Sequence, residues 1–549
     1  MSKKPPARKQ EQTIARRYAG WLAPALIIMF TLWQGSYFPL QFLLLLALTL
    51  AAFTAFGKAI KMAREAAILL VIPLLYLLSL LIYADNRYAG LTETLRALVL
   101  PLSLVLFLNI DSAGAEKGVY TALMGVAMLG LLAYASVIHI PGGVIESSNR
   151  LQSVIQYANT TALLMLIGIL YSVDKYKENK KPGNLACCAI FAAALLLTGS
   201  RTTLAVALAA VFLYIFVLAG RRGKVIAVSA LLFAVCLTVC FGMFTQLRLF
   251  RISIYEPTLV ERWITYQDAF GMLRGKWLLG IGAGNWQDWQ FRWQSAPYNV
   301  KYIHNYYLQL LLDCGALAPI ALGAAVIPAV IRGLRSKNVH GVILVSVLMH
   351  AVLDFDLIFS AVAMIAMYSL SKLVKGSRVV KAGKLRYAAT APLLVLTILW
   401  GSEAFSAFAD SNLEKGELDK SMKGYNAALM LNPLNTGLYY QMAQSTRDIG
   451  LTGEYIRAAI DANPGNLKAL TIMALLETRD DNYAAALELC GRLVELRRYS
   501  EENRSLYLDV AQKALENGCI DDLEYENIRT AMEAIPKQVN PLYSAYIEK

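Results

Sequence analysis

The sequence predicts an all-α, polytopic membrane protein with a C-terminal domain of helical repeats. Of its 549 residues, 57% are hydrophobic and only 17% are charged, which is too apolar for an ordinary soluble domain. Apolar runs of roughly 15 to 22 residues recur from Trp21 to about Phe408, and such runs can cross a bilayer. From about Ala409 the sequence becomes charged and alternating, which is typical of a water-soluble region.

The N-terminal segment, residues 1–17, is basic and precedes the first apolar run. No small-residue cleavage site follows it, and further apolar runs do, so we expect a retained first helix rather than a removed signal peptide. We place residues 1–17 in the cytoplasm. The transmembrane domain then covers residues 18–408, and the tail covers residues 409–549.

The apolar runs predict about 13 transmembrane helices. The expected spans are 18–34, 37–56, 66–83, 96–110, 118–139, 160–173, 185–199, 202–219, 225–243, 305–331, 340–353, 357–374 and 388–408. Two continuous runs, 185–219 and 340–374, would each measure about 52 Å as one helix, which exceeds a bilayer core of about 30 Å. We therefore expect each run to fold back, at Gly199-Ser200-Arg201 and at Asp354-Phe355-Asp356.

Basic connections set the orientation, because short cytoplasmic loops are enriched in Lys and Arg. The basic segments are the N-terminus, 58–64, 175–181, 221–224, 332–337 and 375–386. With these in the cytoplasm, 244–304 becomes a long outer loop, and an odd number of spans places the tail outside.

Polar residues at the ends of the predicted spans gather on the outer side. Arg150, Asn159, Arg201 and Asp354 lie there, together with an outer loop in which Arg and Lys exceed Asp and Glu. Guanidinium groups bind phosphate in a bidentate manner, so this side is a candidate anion site. A charge between two apolar runs is costly, which makes Arg201 a functional candidate. Lipid head groups, or snorkelling of Arg201 to the interface, are the alternatives.

His304 is the strongest candidate for proton transfer among the four histidines. It lies where the arginine-rich loop meets a predicted helix, and an imidazole titrates near neutral pH, so it can act as a general base. Metal chemistry has little support, since neither an HxxxH nor a CxxC pattern occurs, and Asp354 and Asp356 are better explained by a turn. We expect neither a metal nor a cofactor. The glycines in 280–284 follow no predicted strand, so they indicate a tight turn rather than a phosphate loop.

Several motifs, taken in order, resemble those of the O-antigen ligases and related polymerases. They are Arg150-Leu-Gln-Ser-Val-Ile-Gln-Tyr-Ala-Asn159, Gly199-Ser200-Arg201, Glu261-Arg262, Gly280-Ile-Gly282-Ala-Gly284-Asn285-Trp286, His304-Asn305, Leu311-Leu-Asp313-Cys-Gly315 and His350-Ala-Val-Leu-Asp354. The resemblance covers roughly residues 20–380.

The resemblance implies a metal-independent, inverting glycosyltransferase in the bacterial cytoplasmic membrane. It would move a glycan from an undecaprenyl-diphosphate carrier to an acceptor outside the membrane. By this resemblance His304 is the general base, and Arg201, Arg262 and Arg150 bind the diphosphate. The supporting residues are Asn305, Asn159, Glu261, Gly282, Gly284, His350 and Asp354. Because a diphosphate leaves as a stable anion, cationic groups and one base are a sufficient set.

The tail resembles degenerate tetratricopeptide repeats of about 34 residues each. Gly416, Tyr425, Ala428 and Pro433 match the pattern, Ala459 and Pro464 repeat its ending, and Asp481-Asn482-Tyr483-Ala484-Ala485-Ala486 resembles the next helix pair. Stacked helix pairs form concave surfaces for extended partners, so the tail is a candidate protein-binding module outside the membrane. A structural cap on the outer loops is the alternative.

The partners expected are the lipid-linked donor, membrane lipids and an acceptor that is a glycan, a lipid or a protein, with no nucleic acid. Ligase and polymerase are not separated by these residues, since both use the same donor and base. A transporter or flippase is the alternative from another class, but transporters hold ionisable residues near the midplane. A membrane-anchored scaffold would leave Arg201 and the basic loop unexplained.

Overall fold

A computed structural model describes residues 21–56, 59–83, 86–110, 112–218, 257–381 and 383–547. The N-terminal segment, the basic segment 221–224 and the predicted span 225–243 lie outside the described residues. In the membrane region the helices are Trp21–Leu32, Pro39–Phe56, Arg64–Leu69, Val71–Ile82, Arg87–Ala97, Val99–Asn109, Ser112–Tyr134, Ala158–Asn179, Pro182–Leu197, Arg201–Leu218, Tyr306–Cys314, Leu317–Arg335, Val339–Ala351, Ser360–Ser371 and Gly383–Glu414.

The prediction of an all-α multi-pass membrane protein is confirmed. Within the described ranges, five helical stretches are long and apolar enough to cross a bilayer: Arg64–Ile82, Arg87–Asn109, Ala113–Tyr134, Leu317–Arg335 and Ala389–Glu414. Shorter apolar helices accompany them, and Ala158–Asn179 is buried along most of its length. The number of about 13 spans stays a prediction, because length and composition alone do not establish that each helix crosses.

Both long apolar runs are broken where the sequence predicts. The first divides into Pro182–Leu197 and Arg201–Leu218, and the second into Val339–Ala351 and Ser360–Ser371. The predicted single span 305–331 is wrong, because the chain breaks at Gly315 between Tyr306–Cys314 and Leu317–Arg335. Gly315 has φ +81°, and a Cβ there would lie 1.9 Å from the backbone oxygen of Leu278. The outer loop therefore packs directly on the break.

Replacing Gly315 by Ala should destabilise the protein strongly. The new Cβ meets backbone atoms rather than a flexible side chain, and φ is positive, so we expect a loss of several kcal/mol. Gly275→Ala is the matched control: its φ is +75°, and no atom lies within 4 Å of the Cβ position. Thermal unfolding of the two variants in detergent should give a much lower Tm for Gly315→Ala. Equal losses of Tm would show that the packing at Leu278 is unimportant.

Four of the basic segments meet at one end of the helical bundle. Ala59–Met62 and Arg378–Lys381 pair as antiparallel strands. Arg332 donates to Glu65 at 2.9 Å and to the backbone oxygen of Leu373 at 3.2 Å. Lys175 and Lys337 line one shared cavity. This clustering agrees with a common cytoplasmic side for these segments.

The outer loop forms a small domain at the opposite end. Its helices are Pro257–Met272 and Trp286–Trp293, and its apolar core includes Ile264, Leu273 and Trp286. Its glycine segment is held by backbone hydrogen bonds: the N–H of Ile281 donates to Leu312 O at 2.6 Å, and that of Ala283 to Ser79 Oγ at 3.1 Å. The prediction that 280–284 forms a tight turn is confirmed.

The tail continues from the last membrane helix without a break, since Gly383–Glu414 runs from one region into the other. Its further helices are Leu418–Leu431, Leu438–Gln444, Ile449–Ala462, Leu467–Arg479, Tyr483–Leu496, Glu501–Glu516, Asp522–Ala534 and Pro541–Ile547. Helices adjacent in sequence pack on each other around small apolar cores. The assignment to tetratricopeptide repeats stays a prediction.

The tail also docks on the outer-loop domain. The N–H of Asn540 donates to Ser295 O at 2.8 Å, and Arg498 donates to Gln294 O at 3.3 Å. Tyr543 packs against the apolar core of the loop domain. The tail and the outer-loop domain therefore lie at the same end of the membrane helices.

Candidate active site

Four segments that are distant in sequence, 145–159, 199–202, 258–262 and His304, converge at the end of the bundle opposite the clustered basic segments. They line two adjoining cavities of about 180 and 110 Å³. The larger is lined by Ile145, Arg150, Gln152, Tyr157, Ala158, Asn159, Thr258, Glu261, Arg262 and His304. The smaller is lined by Arg150, Asn159, Gly199, Ser200, Arg201, Thr202, Thr258, Leu259 and Arg262. The two cavities share Arg150 and Arg262, so they form one continuous candidate site.

Asp354 is the buried acceptor at the base of the site. Its carboxylate accepts hydrogen bonds from Tyr157 Oη at 2.9 Å, Asn159 Nδ2 at 2.6 Å and His304 Nδ1 at 3.1 Å, and Arg262 lies 3.5 Å away. Burial opposes ionisation, but the hydrogen bond and charge of His304, with the charge of Arg262, hold the pKa of Asp354 below its usual value. Asp354 is therefore a stable carboxylate at neutral pH.

His304 joins this carboxylate to the larger cavity. Its side chain is 23% exposed, and its ring lies 5.3 Å from the ring of Phe355. Because a carboxylate accepts the bond from Nδ1, that nitrogen carries the proton in neutral His304, and Nε2 is left as the basic nitrogen. The backbone oxygen of His304 accepts from the Tyr266 hydroxyl. The ring is thus held in one tautomer beside the cavity.

Asn305 supports His304 through the backbone rather than facing the cavity. Its Oδ1 accepts from the N–H of Leu308 at 3.0 Å, which caps the helix Tyr306–Cys314. The N–H of Tyr306 donates to the backbone oxygen of Asp354 at 3.2 Å. The start of this helix therefore fixes His304 and Asp354 relative to each other.

Arg150 is held by a hairpin and by the turn at 198–200. Strand Arg150–Leu151 pairs with Val144–Ile145. The Arg150 guanidinium donates from Nε to Thr198 O at 2.8 Å and from NH2 to Asn159 Oδ1 at 3.0 Å. Gly199 has φ +60°, which favours glycine, and a Cβ there would make only an ordinary contact of 3.4 Å with Arg150 Cγ. Arg150 is consequently fixed along the wall that both cavities share.

Cationic groups outnumber carboxylates in the wall of the joined cavities. Arg201 starts the helix Arg201–Leu218 and lines the smaller cavity, while Arg262, on Pro257–Met272, is 13% exposed and lines both. Glu261 lines the larger cavity. Among the residues that the structure describes, the cavity walls thus hold three guanidinium groups and one carboxylate, that of Glu261, which gives a site suited to an anion.

His350 belongs to a second, fully buried pair behind the cavities. Its Nδ1 contacts Asp356 and its Nε2 contacts Thr203 Oγ1 at 2.7 Å, while Asp356 also accepts from Thr160 at 2.6 Å. In a continuous helix, the motif His350-Ala-Val-Leu-Asp354 would place its two end residues one helical turn apart. However, the helix ends at Ala351, so Asp354 turns towards His304 instead. His350 lines neither cavity.

Gly282 and Gly284 also lie away from the cavities, against Tyr83 and Ala89. Tyr157, Thr258 and Tyr266 were not singled out from the sequence. Of these three residues, only Tyr157 lies in a motif that the sequence indicated, since it comes two residues before Asn159 in the motif that begins at Arg150. Among the residues that the structure describes, no three His, Cys, Asp or Glu side chains gather as metal ligands. Metal-free chemistry remains an expectation.

The site thus combines a histidine–carboxylate pair with an arginine-lined cavity at the end of a membrane bundle opposite its basic segments. Such a set suits group transfer from an anionic substrate. Residues 186–323 match the family model of the O-antigen ligases. The match includes Arg201, Glu261, Arg262 and His304. No curated protein was found that matches the sequence.

Proposed function

We propose that the protein transfers a glycan from an undecaprenyl-diphosphate carrier to an acceptor hydroxyl on the outer face of a bacterial cytoplasmic membrane. The observation that carries this proposal is the hydrogen bond between His304 Nδ1 and Asp354 beside a cavity lined by Arg150 and Arg262. The match of residues 186–323 to the O-antigen ligase model supports the same class of reaction.

His304 acts as the general base in a single displacement. Nε2 takes the proton of the acceptor hydroxyl while its oxygen attacks the anomeric carbon. The bond between that carbon and the diphosphate oxygen breaks, and the carrier diphosphate leaves with the electron pair. Because attack and departure occur on opposite faces of the sugar, the anomeric configuration inverts.

Asp354 is a positioning residue that acts through His304. As a carboxylate it keeps the proton on Nδ1, and it stabilises the imidazolium that forms when Nε2 is protonated. Tyr157 and Asn159 donate to Asp354 and hold its carboxylate in this orientation. The supporting pair His350–Asp356 packs behind it and keeps the turn 352–359 in place.

The diphosphate binds to Arg150, Arg201 and Arg262. The smaller cavity, which Arg201 and Leu259 both line, combines a guanidinium with an apolar side chain, as a lipid diphosphate requires. Guanidinium groups also stabilise the charge that develops on the leaving diphosphate.

Arg201→Gln should raise the KM for the lipid-linked donor about 10-fold or more, because a charge-assisted hydrogen bond contributes about 1.5–3 kcal/mol. Initial rates measured against donor concentration test this expectation. The matched control is Arg274→Gln, which removes an exposed arginine of the outer-loop domain that lines neither cavity. If both variants shifted KM equally, general charge attraction rather than binding at Arg201 would explain the loss.

We favour transfer to a separate acceptor molecule over polymerisation. The tail docks on the outer-loop domain, at the same end of the membrane helices as the cavities, and its stacked helices are suited to holding a partner. The decisive test incubates the purified protein with an undecaprenyl-diphosphate glycan and candidate glycan, lipid or protein acceptors. One added glycan block on a separate acceptor would support ligation. A ladder of products on the carrier would instead assign the same site to a polymerase.

A further inference from the structure

The first helical hairpin of the tail returns towards the membrane. The last membrane helix, Gly383–Glu414, runs outwards, and Leu418–Leu431 runs back alongside it. Ser402 Oγ donates to Ala428 O at 2.8 Å, and Leu431 reaches within 3.3 Å of the Cβ position of Gly401. The end of the returning helix and the turn after it, residues 430–434, therefore lie level with Gly401, and we call this membrane-facing end of the hairpin the hairpin tip.

Two independent observations place this level in the outer half of the bilayer. Gly401 lies about 18 Å along the helix from Ala389, the first residue of the described apolar stretch, and this is less than the thickness of about 30 Å of a hydrocarbon core. Glu403 accepts from Tyr88 at 2.5 Å, and Tyr88 lies at the outer end of the apolar stretch Arg87–Asn109. The hairpin tip is consequently no farther from the bilayer centre than the outer end of that neighbouring span.

The hairpin tip carries apolar side chains that stay at least partly exposed within the part of the chain that the structure describes. Met430 is 85% exposed, and Leu431 and Leu434 are also exposed. No charged residue occurs between Lys423 and Arg447, although the rest of the tail is rich in charge. Exposed apolar groups on a charge-free stretch at this height match the surface that lipid covers.

We infer that the hairpin tip formed by Met430, Leu431 and Leu434 inserts into the outer leaflet and anchors the tail to the lipid surface. The tail then has two attachments besides its covalent link, one to lipid at this tip and one to the outer-loop domain at Asn540 and Arg498. Two attachments fix the orientation of the tail above the membrane, so it does not swing freely on the last helix. This inference does not depend on glycan transfer.

Photo-crosslinking in lipid vesicles tests the insertion directly. Met430→p-benzoylphenylalanine and Leu434→p-benzoylphenylalanine place a photoreactive group at the tip, and both sites are exposed, so folding should be preserved. The matched control is Leu523→p-benzoylphenylalanine, at an apolar residue that is 70% exposed on Asp522–Ala534, elsewhere in the tail. The full-length protein is irradiated in phosphatidylethanolamine and phosphatidylglycerol vesicles, and tail peptides are analysed by mass spectrometry.

We expect phospholipid adducts at positions 430 and 434, at a yield at least about 5-fold above that at 523. Equal lipid adducts at all three positions would overturn the inference, as would an absence of adducts at the tip. A crosslinked dimer from position 430 would also overturn it, because a second copy of the chain, rather than lipid, would then cover the tip.

Discussion

His304→Ala should lower the rate of glycan transfer by about 10²–10⁴-fold, because a positioned general base contributes about that factor. The loss should appear in kcat with little change in the KM for the donor, since His304 contacts the acceptor hydroxyl and the arginines retain the diphosphate. Initial rates with purified protein in detergent, at saturating and limiting donor, separate the two constants.

His139→Ala is the matched control for this substitution. His139 is exposed near the outer end of the helix Ser112–Tyr134 and lines neither cavity, so its loss should leave both constants unchanged. Retention of full transfer by His304→Ala, in a protein with the wild-type Tm, would remove His304 from the reaction and with it the proposed base.

Asp354→Asn should reduce kcat by a factor comparable to that for His304→Ala, up to about 10⁴. The Asn amide can donate to Nδ1 of His304, which puts the proton on Nε2, so the nitrogen that faces the cavity can no longer accept a proton. The double variant should be little worse than either single variant, because Asp354 acts through His304. Additive losses of kcat in the double variant would show that Asp354 works independently of His304.

The stability of Asp354→Asn should depend on pH in a defined direction. The folded-state pKa of Asp354 lies below its ordinary value of about 3.9, so its ionised form stabilises the native state at all pH values above that. This contribution is lost as the pH falls through the lowered folded-state pKa. The Tm difference between wild type and variant should shrink as the pH falls below about 4. A difference that grew as the pH fell below about 4 would contradict an ionised Asp354.

Much of the site was predictable because a bilayer restricts where charge can lie. Arg150, Asn159, Arg201 and Asp354 stand out as polar residues at the ends of apolar runs, and the structure gathers them in the joined cavities with Arg262 and His304. The fold-back points at 199–201 and 354–356 followed from the same limit on helix length.

Features that depend on where one helix ends were not predictable. The pairing of His350 with Asp356 follows from helix termination at Ala351, which no local pattern signals. The break at Gly315 exists because the outer loop packs on it, and a single glycine within an apolar run does not predict such a contact. Tyr157 was overlooked because a tyrosine beside a span is equally common at a membrane interface. The contact between Asn540 and Ser295 joins residues far apart in sequence, so no local pattern predicts it.

Release of the carrier distinguishes transfer from transport most directly. In detergent micelles, where no membrane separates two compartments, the protein is mixed with an undecaprenyl-diphosphate glycan and an acceptor. Free undecaprenyl diphosphate is then quantified by mass spectrometry. We predict release in proportion to glycan transferred for the wild type, and loss of that release in His304→Ala. Carrier that stays joined to its glycan in micelles, while lipid-linked glycan crosses the bilayer of protein-containing vesicles, would contradict a transferase and identify a flippase.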